Sequence, residues 1–277
     1  MPLSVLAALL GAALLHATWN AIIRQAPDTV TMTVLVATLA GGLAALALPW
    51  LPAPAPESWP FLAASAVFQT LYYGLVAATY RVAEMSLAYP LMRGSAPLIV
   101  ATAGAALFGE ALPPAAWAGI GLISAGILGL GGVAWAEAGR GAGLALVTAG
   151  VIACYTLIDG AGVRRSGAPV AYTLWVFLLT ALPLLAVALV KLRPALRAVG
   201  MRDFGLGLLG GAGTLVSYAV ALWAMTRVPV AVVAALRETS ILFALMLSGL
   251  VLHERIGRAR LVLGCVIALG AVALQLA

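Results

Sequence analysis

Arg237 and Glu238 are adjacent charged residues in the middle of the apolar stretch VVAALRETSILFAL (232–245). A charge at the centre of a bilayer costs about 2.5–3.5 kcal/mol on insertion scales, so such a stretch needs a compensating partner. Successive residues of a helix point about 100° apart, and the two side chains therefore cannot simply neutralise each other. Arg93 lies at a similar depth in an earlier apolar stretch (85–108), within the segment MRGSAPLIV (92–100).

Two roles fit these deep arginines, and both place them inside a helical bundle. In the first, Arg93 and Arg237 flank a cavity and hold an anionic group, such as a carboxylate, by charge-assisted hydrogen bonds. In the second, they form structural ion pairs between helices. The candidate pairs are Arg237 with Asp159 and Glu238 with Arg93. Pro90 and Pro97 near Arg93 predict a kink that exposes backbone carbonyls to the cavity or acts as a hinge.

Two further polar groups have helical spacing. His16, Trp19 and Asn20 share one face of the first apolar segment, and Tyr155 and Asp159 share one face of a later segment. Lipid cannot satisfy such faces, so we expect them to point inward. They either line a cavity, where His16 can titrate near neutral pH, or make interhelical hydrogen bonds.

An aromatic stripe lies on a third segment and contains Gln69, Tyr72, Tyr73, Val76 and Tyr80. Gln69 and Tyr73 are placed near the middle of the segment, and Tyr80 near its end. Such tyrosines can form a cage for a planar or cationic ligand, or they can simply pack. Trp175 and Tyr218 have the same two interpretations.

The composition requires a membrane. Of 277 residues, 64% are hydrophobic and only 9% are charged, whereas a soluble domain is about 25% charged. The 15 Lys and Arg residues are scattered, mostly at the ends of apolar runs, which does not indicate nucleic-acid binding. The two cysteines lack metal-ligand spacing, and no H-E-x-x-H or G-x-S-x-G motif occurs. We therefore expect an integral membrane protein that is not an enzyme and has no metal or cofactor.

Hydropathy predicts ten membrane spans, because a helix needs about 20 residues to cross the hydrocarbon core. The predicted spans are residues 4–23, 29–50, 59–80, 85–108, 114–135, 142–160, 169–190, 204–226, 229–251 and 260–276. The breaks between them are short, so no loop can hold a soluble domain. Any function must lie among the helices.

The chain also contains a weak internal repeat. A shift of 144 residues brings three pairs into register, namely Arg93 with Arg237, Glu110 with Glu254, and Gly126 with Gly270. A shift of 139 aligns residues 11–20 with 150–159 and pairs Asn20 with Asp159. The repeat predicts five-helix halves at 1–138 and 139–277. An odd number of spans in each half makes the second half inverted, with a binding site near the membrane midplane.

The loop charges predict an orientation. Ten Lys or Arg residues follow odd-numbered spans and three follow even-numbered spans. The positive-inside rule would then place both termini outside.

The layout resembles the ten-helix EamA family of the drug/metabolite transporter superfamily. The resemblance is carried by FGEALPPAAWAGIGLISAGILGLG (108–131), LHERIGRARLVLGCVIALGAVAL (252–274) and LLHATWNAIIR (14–24). It implies a metabolite carrier, often an exporter of amino acids, with a central cavity and cytoplasmic termini, the reverse of the loop-charge prediction. Small multidrug-resistance relatives couple to protons through a carboxylate in the first helix, whereas this first span carries His16 and Asn20 instead.

The sequence thus predicts an all-α membrane protein with ten transmembrane helices, arranged as two inverted five-helix repeats around a central cavity. We expect a monomer in a bacterial inner membrane that exports a small polar metabolite, such as an amino acid, by alternating access. The alternative is a channel-like pore or an uptake permease. The predicted substrate-binding residues are His16, Trp19, Asn20, Gln69, Tyr73, Arg93, Tyr155, Asp159, Trp175, Tyr218, Arg237 and Glu238.

Overall fold

The computed structural model describes residues 1–131, 139–250 and 257–277. Throughout these residues the regular structure is helical. The α-helices are α1 (Leu3–Gln25), α2 (Thr29–Ala47), α3 (Trp59–Val82), α4 (Met85–Phe108), α5 (Pro114–Leu130), α6 (Gly139–Ser166), α7 (Pro169–Lys191), α8 (Arg193–Arg197), α9 (Met201–Met225), α10 (Val230–Arg237), α11 (Ser240–Leu250) and α12 (Arg258–Leu276). Two short 3₁₀ turns, Leu48–Trp50 and Pro56–Ser58, follow α2.

The helices confirm the predicted all-helical membrane fold. Within the described residues, nine spans of at least 18 residues are long and apolar enough to cross a bilayer, and α5 adds a tenth of 17 residues. The predicted fourth span, 85–108, coincides with α4. Glu254 lies outside the described residues, as do the ends of the predicted spans 114–135 and 229–251 and parts of the breaks that follow them.

Local sequence explains several helix ends. Asp28 caps α2 by accepting hydrogen bonds from the backbone N–H groups of Val30 and Thr31 at 3.0 and 3.1 Å. The Thr31 hydroxyl donates to the same carboxylate, and these bonds, led by that of the Thr31 side chain, hold the pKa of Asp28 below its ordinary value. Gly109 ends α4 with a φ of 63°, a left-handed conformation that favours glycine.

The ninth span is one helix in the prediction and two in the structure. Helix α10 ends at Arg237 and α11 begins at Ser240. Between them the chain makes tighter bonds three residues apart, such as Ile241 N–H to Glu238 C=O at 3.0 Å. Discontinuous helices of this kind commonly mark the binding sites of transporters.

The crossing of α5 and α12 shows how the halves are related. A Cβ atom added to Gly119 would lie 2.8 Å from the Gly270 carbonyl, and one added to Gly270 would lie 2.7 Å from the Gly119 carbonyl. Farther along α5, Gly126 instead approaches Leu263 and Ile267 of α12. As residue numbers rise on α5 the contacted numbers fall on α12, so these helices run antiparallel.

The same contacts obey the 144-residue shift. Adding 144 converts Gly126 into Gly270, and subtracting it converts Leu263 into residue 119. The approach of Gly126 to Leu263 is therefore repeated as the approach of Gly270 to Gly119. Likewise, α1 packs on α9 and α3 packs on α6. Each of these contacts is repeated with the two halves interchanged, and the equivalent helices α5 and α12 run in opposite directions. The two halves are therefore inverted repeats.

Contacts between loops define the two ends of the bundle. At one end, Ala55 N–H donates to the Ser166 carbonyl at 2.9 Å, and the termini meet through Met1 and Gln275. At the other end, Ala83 approaches Gly141, and Val199 packs with the cluster at the start of α2. The loops after even-numbered spans thus share the end that holds both termini.

Candidate functional site

A small cavity lies between α4, α6 and the α10–α11 break. Its lining residues are Arg93, Ala96, Pro97, Val100, Ile152, Tyr155, Thr156, Ala234, Arg237 and Glu238. The volume is about 10 Å³, which is close to the minimum that holds one water molecule. Four of the predicted binding residues, Arg93, Tyr155, Arg237 and Glu238, therefore meet at one place contributed by both halves.

Arg93 and Glu238 form an ion pair across this cavity, with Arg93 Nε 2.8 Å from Glu238 Oε2. Both residues are buried, at 8% and 5% exposure. The Nη2 nitrogen of the same guanidinium group has no hydrogen-bond partner among the described residues. The predicted ion pair between Arg93 and Glu238 is present, and it leaves the Nη2 group of Arg93 able to donate a hydrogen bond to a ligand.

Arg237 is the less constrained cation of the cavity. Its guanidinium carbon lies 4.7 Å from the centre of the Tyr218 ring, a cation–π contact. Within the described residues it makes no ion pair, including the alternative pair with Asp159. Two arginines and one glutamate thus give the cavity an excess of one positive charge.

Asp159 is fully buried beside the cavity, in a cage of neutral donors. Tyr218 donates to Oδ2 at 2.5 Å and Gln69 Nε2 to the same oxygen at 3.2 Å. Tyr172 donates to Oδ1 at 3.2 Å, and the Ser65 hydroxyl also interacts with the carboxylate. The structure therefore gathers the predicted residues Gln69, Asp159 and Tyr218 into one network that ties α6 to α3, α7 and α9.

The polar face of α1 approaches the same region from the first half. His16 lies within electrostatic range of Arg93 and Arg237 and contacts Trp19 edge to face at 4.9 Å. Trp19 itself packs with the cluster between α2 and α9. The Asn20 amide donates to the His16 carbonyl one turn earlier, at 2.7 Å. Of these three residues, His16 is the one that interacts electrostatically with the arginines.

The remaining aromatic residues occupy two different places. Tyr72 contacts Tyr155, with ring centres 5.9 Å apart, and Tyr73 contacts Tyr72 at 5.4 Å. The ring of Tyr72 therefore separates Tyr73 from Tyr155, which lines the cavity. Trp175 contacts Trp59 at 5.0 Å, and Trp59 is the first residue of α3, so the structure places Trp175 toward the end of the bundle.

Several residues of the site were not predicted from sequence. Tyr172 and Ser65 donate to Asp159, and Thr156 lines the cavity. The sequence hints weakly at a role for Tyr172 inside the bundle, because it is a polar residue within an apolar span. Its partner could be assigned only once α7 was placed against α6.

A second cavity of about 390 Å³ lies nearer the end that holds the termini, lined by Phe108, Leu157, Ala161, Arg164, Arg165 and Val230. Arg164 Nη1 pairs with Glu110 Oε1 at 2.9 Å. Arg164 also donates to the carbonyls of Met225 and Val228. This Glu110–Arg164 clamp joins the first half to the ends of α6 and α9 in the second.

Among the described residues, no group of three His, Cys, Asp or Glu side chains could hold a metal ion. What the site can do is bind an anionic group, because it combines an unpaired arginine, a buried arginine donor and adjacent aromatic rings.

Known proteins share this architecture. The family model for EamA-like transporters matches residues 3–132 and 139–276. Twenty-eight chains among solved structures match. One of them, titled only as the crystal structure of a protein, has a TM-score of 0.80 and 20% identity, over 100% of this chain and 98% of its own. At that identity the likeness shows the shared fold alone. No curated protein matches the sequence.

Proposed function

The chain belongs to the EamA-like transporter family, and from this premise we propose that it carries a small polar metabolite with an anionic group, such as an amino acid. The observation that supports the proposal best is Arg237, a cation inside the bundle without an ion pair in the described residues. An intramembrane charge of this kind normally faces a substrate or ion pathway.

The substrate's anionic group would bind Arg237 together with the free Nη2 of Arg93. Glu238 lies within the same cavity and could accept a hydrogen bond from an ammonium group of the ligand. The nearby rings of Tyr155 and Tyr218 would contact an apolar side chain. These groups together suit an amino acid.

Alternating access is the mechanism that we propose. A cavity of about 10 Å³ cannot hold an amino acid, so α4 must separate from the α10–α11 break before a substrate enters. Both elements come from different halves, and rocking of one half against the other would open the cavity. A continuous pore is less favoured, since the two cavities share no lining residue and each has apolar walls, with Val100 in the first and Leu157 and Val230 in the second. The direction of transport, expected from the resemblance to be export, stays a prediction.

Counterflow in proteoliposomes tests this function. Liposomes containing the purified protein and a high internal concentration of one amino acid should take up the same amino acid in labelled form. We expect Arg237→Ala to abolish this exchange, and Arg237→Lys to restore it only partly because lysine lacks the planar donor pair.

Arg227→Ala is the matched control. Arg227 makes a similar cation–π contact, 4.9 Å from the Trp223 ring, but lies outside both cavities. Normal exchange by Arg237→Ala would refute the assignment of Arg237. An absence of exchange by the wild type for every amino acid would refute the substrate class.

A further inference from the structure

Asp159 is a buried acid without a contacting cation in the described part of the chain. It has 0% exposure, and within the described residues it forms no ion pair with Arg, Lys or His. Burial without a cation disfavours the ionised form, and the hydrogen bonds from neutral donors act in the opposite direction. It does not line the cavity that holds the arginines, so its role differs from direct ligand binding.

We propose that Asp159 is a second ligand site, which binds one proton, and that this proton site is coupled to the anion site through Tyr218 and Arg237. The proposal rests on the proposed function for its second half only, because the proton site itself can be tested without any substrate.

The groups around Asp159 allow both protonation states. Helix α3 presents Ser65 and Gln69, α7 presents Tyr172, and α9 presents Tyr218. Hydroxyl groups donate to a carboxylate and can also accept from a carboxylic acid. When Asp159 takes up a proton, the new O–H can therefore donate to a neighbouring hydroxyl oxygen, once that hydroxyl turns its own hydrogen away from the carboxyl group.

One side chain connects the two sites. The Tyr218 hydroxyl donates to Asp159 at 2.5 Å, and the face of the same ring contacts Arg237. Arg237 is thus a nearby cation on the far side of Tyr218. Its positive field favours the ionised form of Asp159, and an anion bound to Arg237 would weaken that field. Substrate and proton therefore favour each other's binding.

This sign has a consequence for transport. If the proton and the substrate favour each other's binding, the carrier binds both on one side of the membrane and releases both on the other. It therefore moves them in the same direction. Proton and substrate would then cross together, which favours the uptake alternative over export in a cell with an inward proton gradient.

Two other titratable groups lie near Arg237 and must be separated from Asp159 in any pH experiment. His16 lies within electrostatic range of both arginines, and Glu238 is paired with Arg93. A protonated His16 would also favour anion binding at low pH. His16→Gln and Glu238→Gln are therefore the necessary comparison variants.

The first experiment uses the purified, ligand-free protein in nanodiscs. Infrared difference spectra recorded on a jump from alkaline to acidic pH should show the C=O band of a newly protonated buried carboxyl. We expect Asp159→Asn to remove this band, and His16→Gln and Glu238→Gln to retain it. A band that persists in Asp159→Asn, or no band in the wild type, would overturn the proton site.

The second experiment measures binding of L-phenylalanine as a function of pH by scintillation proximity. We expect wild-type affinity to rise at least about fivefold from alkaline to acidic pH, which is the lower range of typical couplings. Asn resembles the protonated acid, so Asp159→Asn should bind with the acidic-pH affinity at every pH. His16→Gln should retain a pH dependence with the wild-type midpoint, even where it changes the affinity itself.

Tyr218→Phe tests the same coupling without replacing Asp159, so it remains informative if Asp159→Asn fails to fold. It keeps the ring beneath Arg237 but removes the donor to Asp159, so it should move the midpoint of the pH dependence while retaining binding. Uniformly weaker binding at every pH in both variants would show that the cage is only structural. If the infrared band behaves as expected but L-phenylalanine does not bind, the proton site stands and the proposed substrate class fails.

Discussion

Nε of Arg93 lies 2.8 Å from Oε2 of Glu238, so a buried ion pair joins α4 of the first half to the break between α10 and α11 in the second. A pair in this position is a connection that alternating access must keep or remake as the halves move. Each charge also neutralises the other in a bundle interior where an isolated charge would be costly.

Removing one partner of this pair should therefore be worse than removing both. We expect Arg93→Ala or Glu238→Ala to lower the free energy of unfolding by about 3–5 kcal/mol, because each leaves an uncompensated buried charge. The double variant Arg93→Met with Glu238→Leu should unfold close to the wild-type temperature, although it should not transport. Thermal unfolding in detergent measures this, and a double variant as unstable as either single variant would show that the two charges do not compensate each other.

Much of the fold could be predicted from the sequence, because bilayer thickness fixes the length of each apolar run. The inverted repeat could also be found, since Arg93 and Arg237 are costly residues at equivalent positions. Asp28 and Gly109 fixed the ends of their helices by local chemistry, which a single sequence carries.

The break at Glu238 could not be predicted in the same way. The segment Arg237–Ser240 contains neither proline nor glycine, so no local rule ends a helix there. Its position coincides with the ion pair to Arg93, a tertiary contact. The hydrogen-bond partners of Asp159 could not be predicted either. Charge alone suggested Arg237, whereas helix packing places Tyr218, Tyr172 and Gln69 beside the carboxylate.

The crossing of α5 and α12 gives a second stability prediction. Alanine at Gly119 or Gly270 would bring its Cβ within 3.0 Å of the opposite backbone, and we expect a loss of about 1–3 kcal/mol from this overpacking. Gly121→Ala, on the same helix but with nothing within 4 Å of the added atom, is the control and should leave stability unchanged or slightly higher. Thermal unfolding again gives the comparison. Equal effects at residues 119 and 121 would mean that helix propensity, rather than the close crossing, governs the response.

The Glu110–Arg164 clamp predicts a change in access to the cavity. Glu110→Gln removes the charge that holds Arg164, so the end of the bundle that carries the termini should open more often. In a background without Cys154 and Cys265, we expect a cysteine at Ala234, which lines the central cavity, to react several-fold faster with a soluble maleimide when Glu110→Gln is present.

The rate of a cysteine at Glu57, which is exposed in the loop after α2 at the same end of the bundle, should not change, and it serves as the control. An unchanged rate at residue 234 would show that this ion pair does not close the route from that end.

Orientation is the last prediction, and here the loop charges and the family resemblance point in opposite directions. The structure places the loops after even-numbered spans at the end with both termini and the loops after odd-numbered spans at the opposite end. Ten of the loop cations follow odd-numbered spans, and positive charge favours the cytoplasmic side. We therefore expect a cysteine at exposed Glu57 to react with an impermeant thiol reagent in intact cells, and one at exposed Arg197 to react only after permeabilisation. The reverse pattern would place the termini in the cytoplasm, and labelling of both positions from outside would contradict the assignment of these loops to opposite ends.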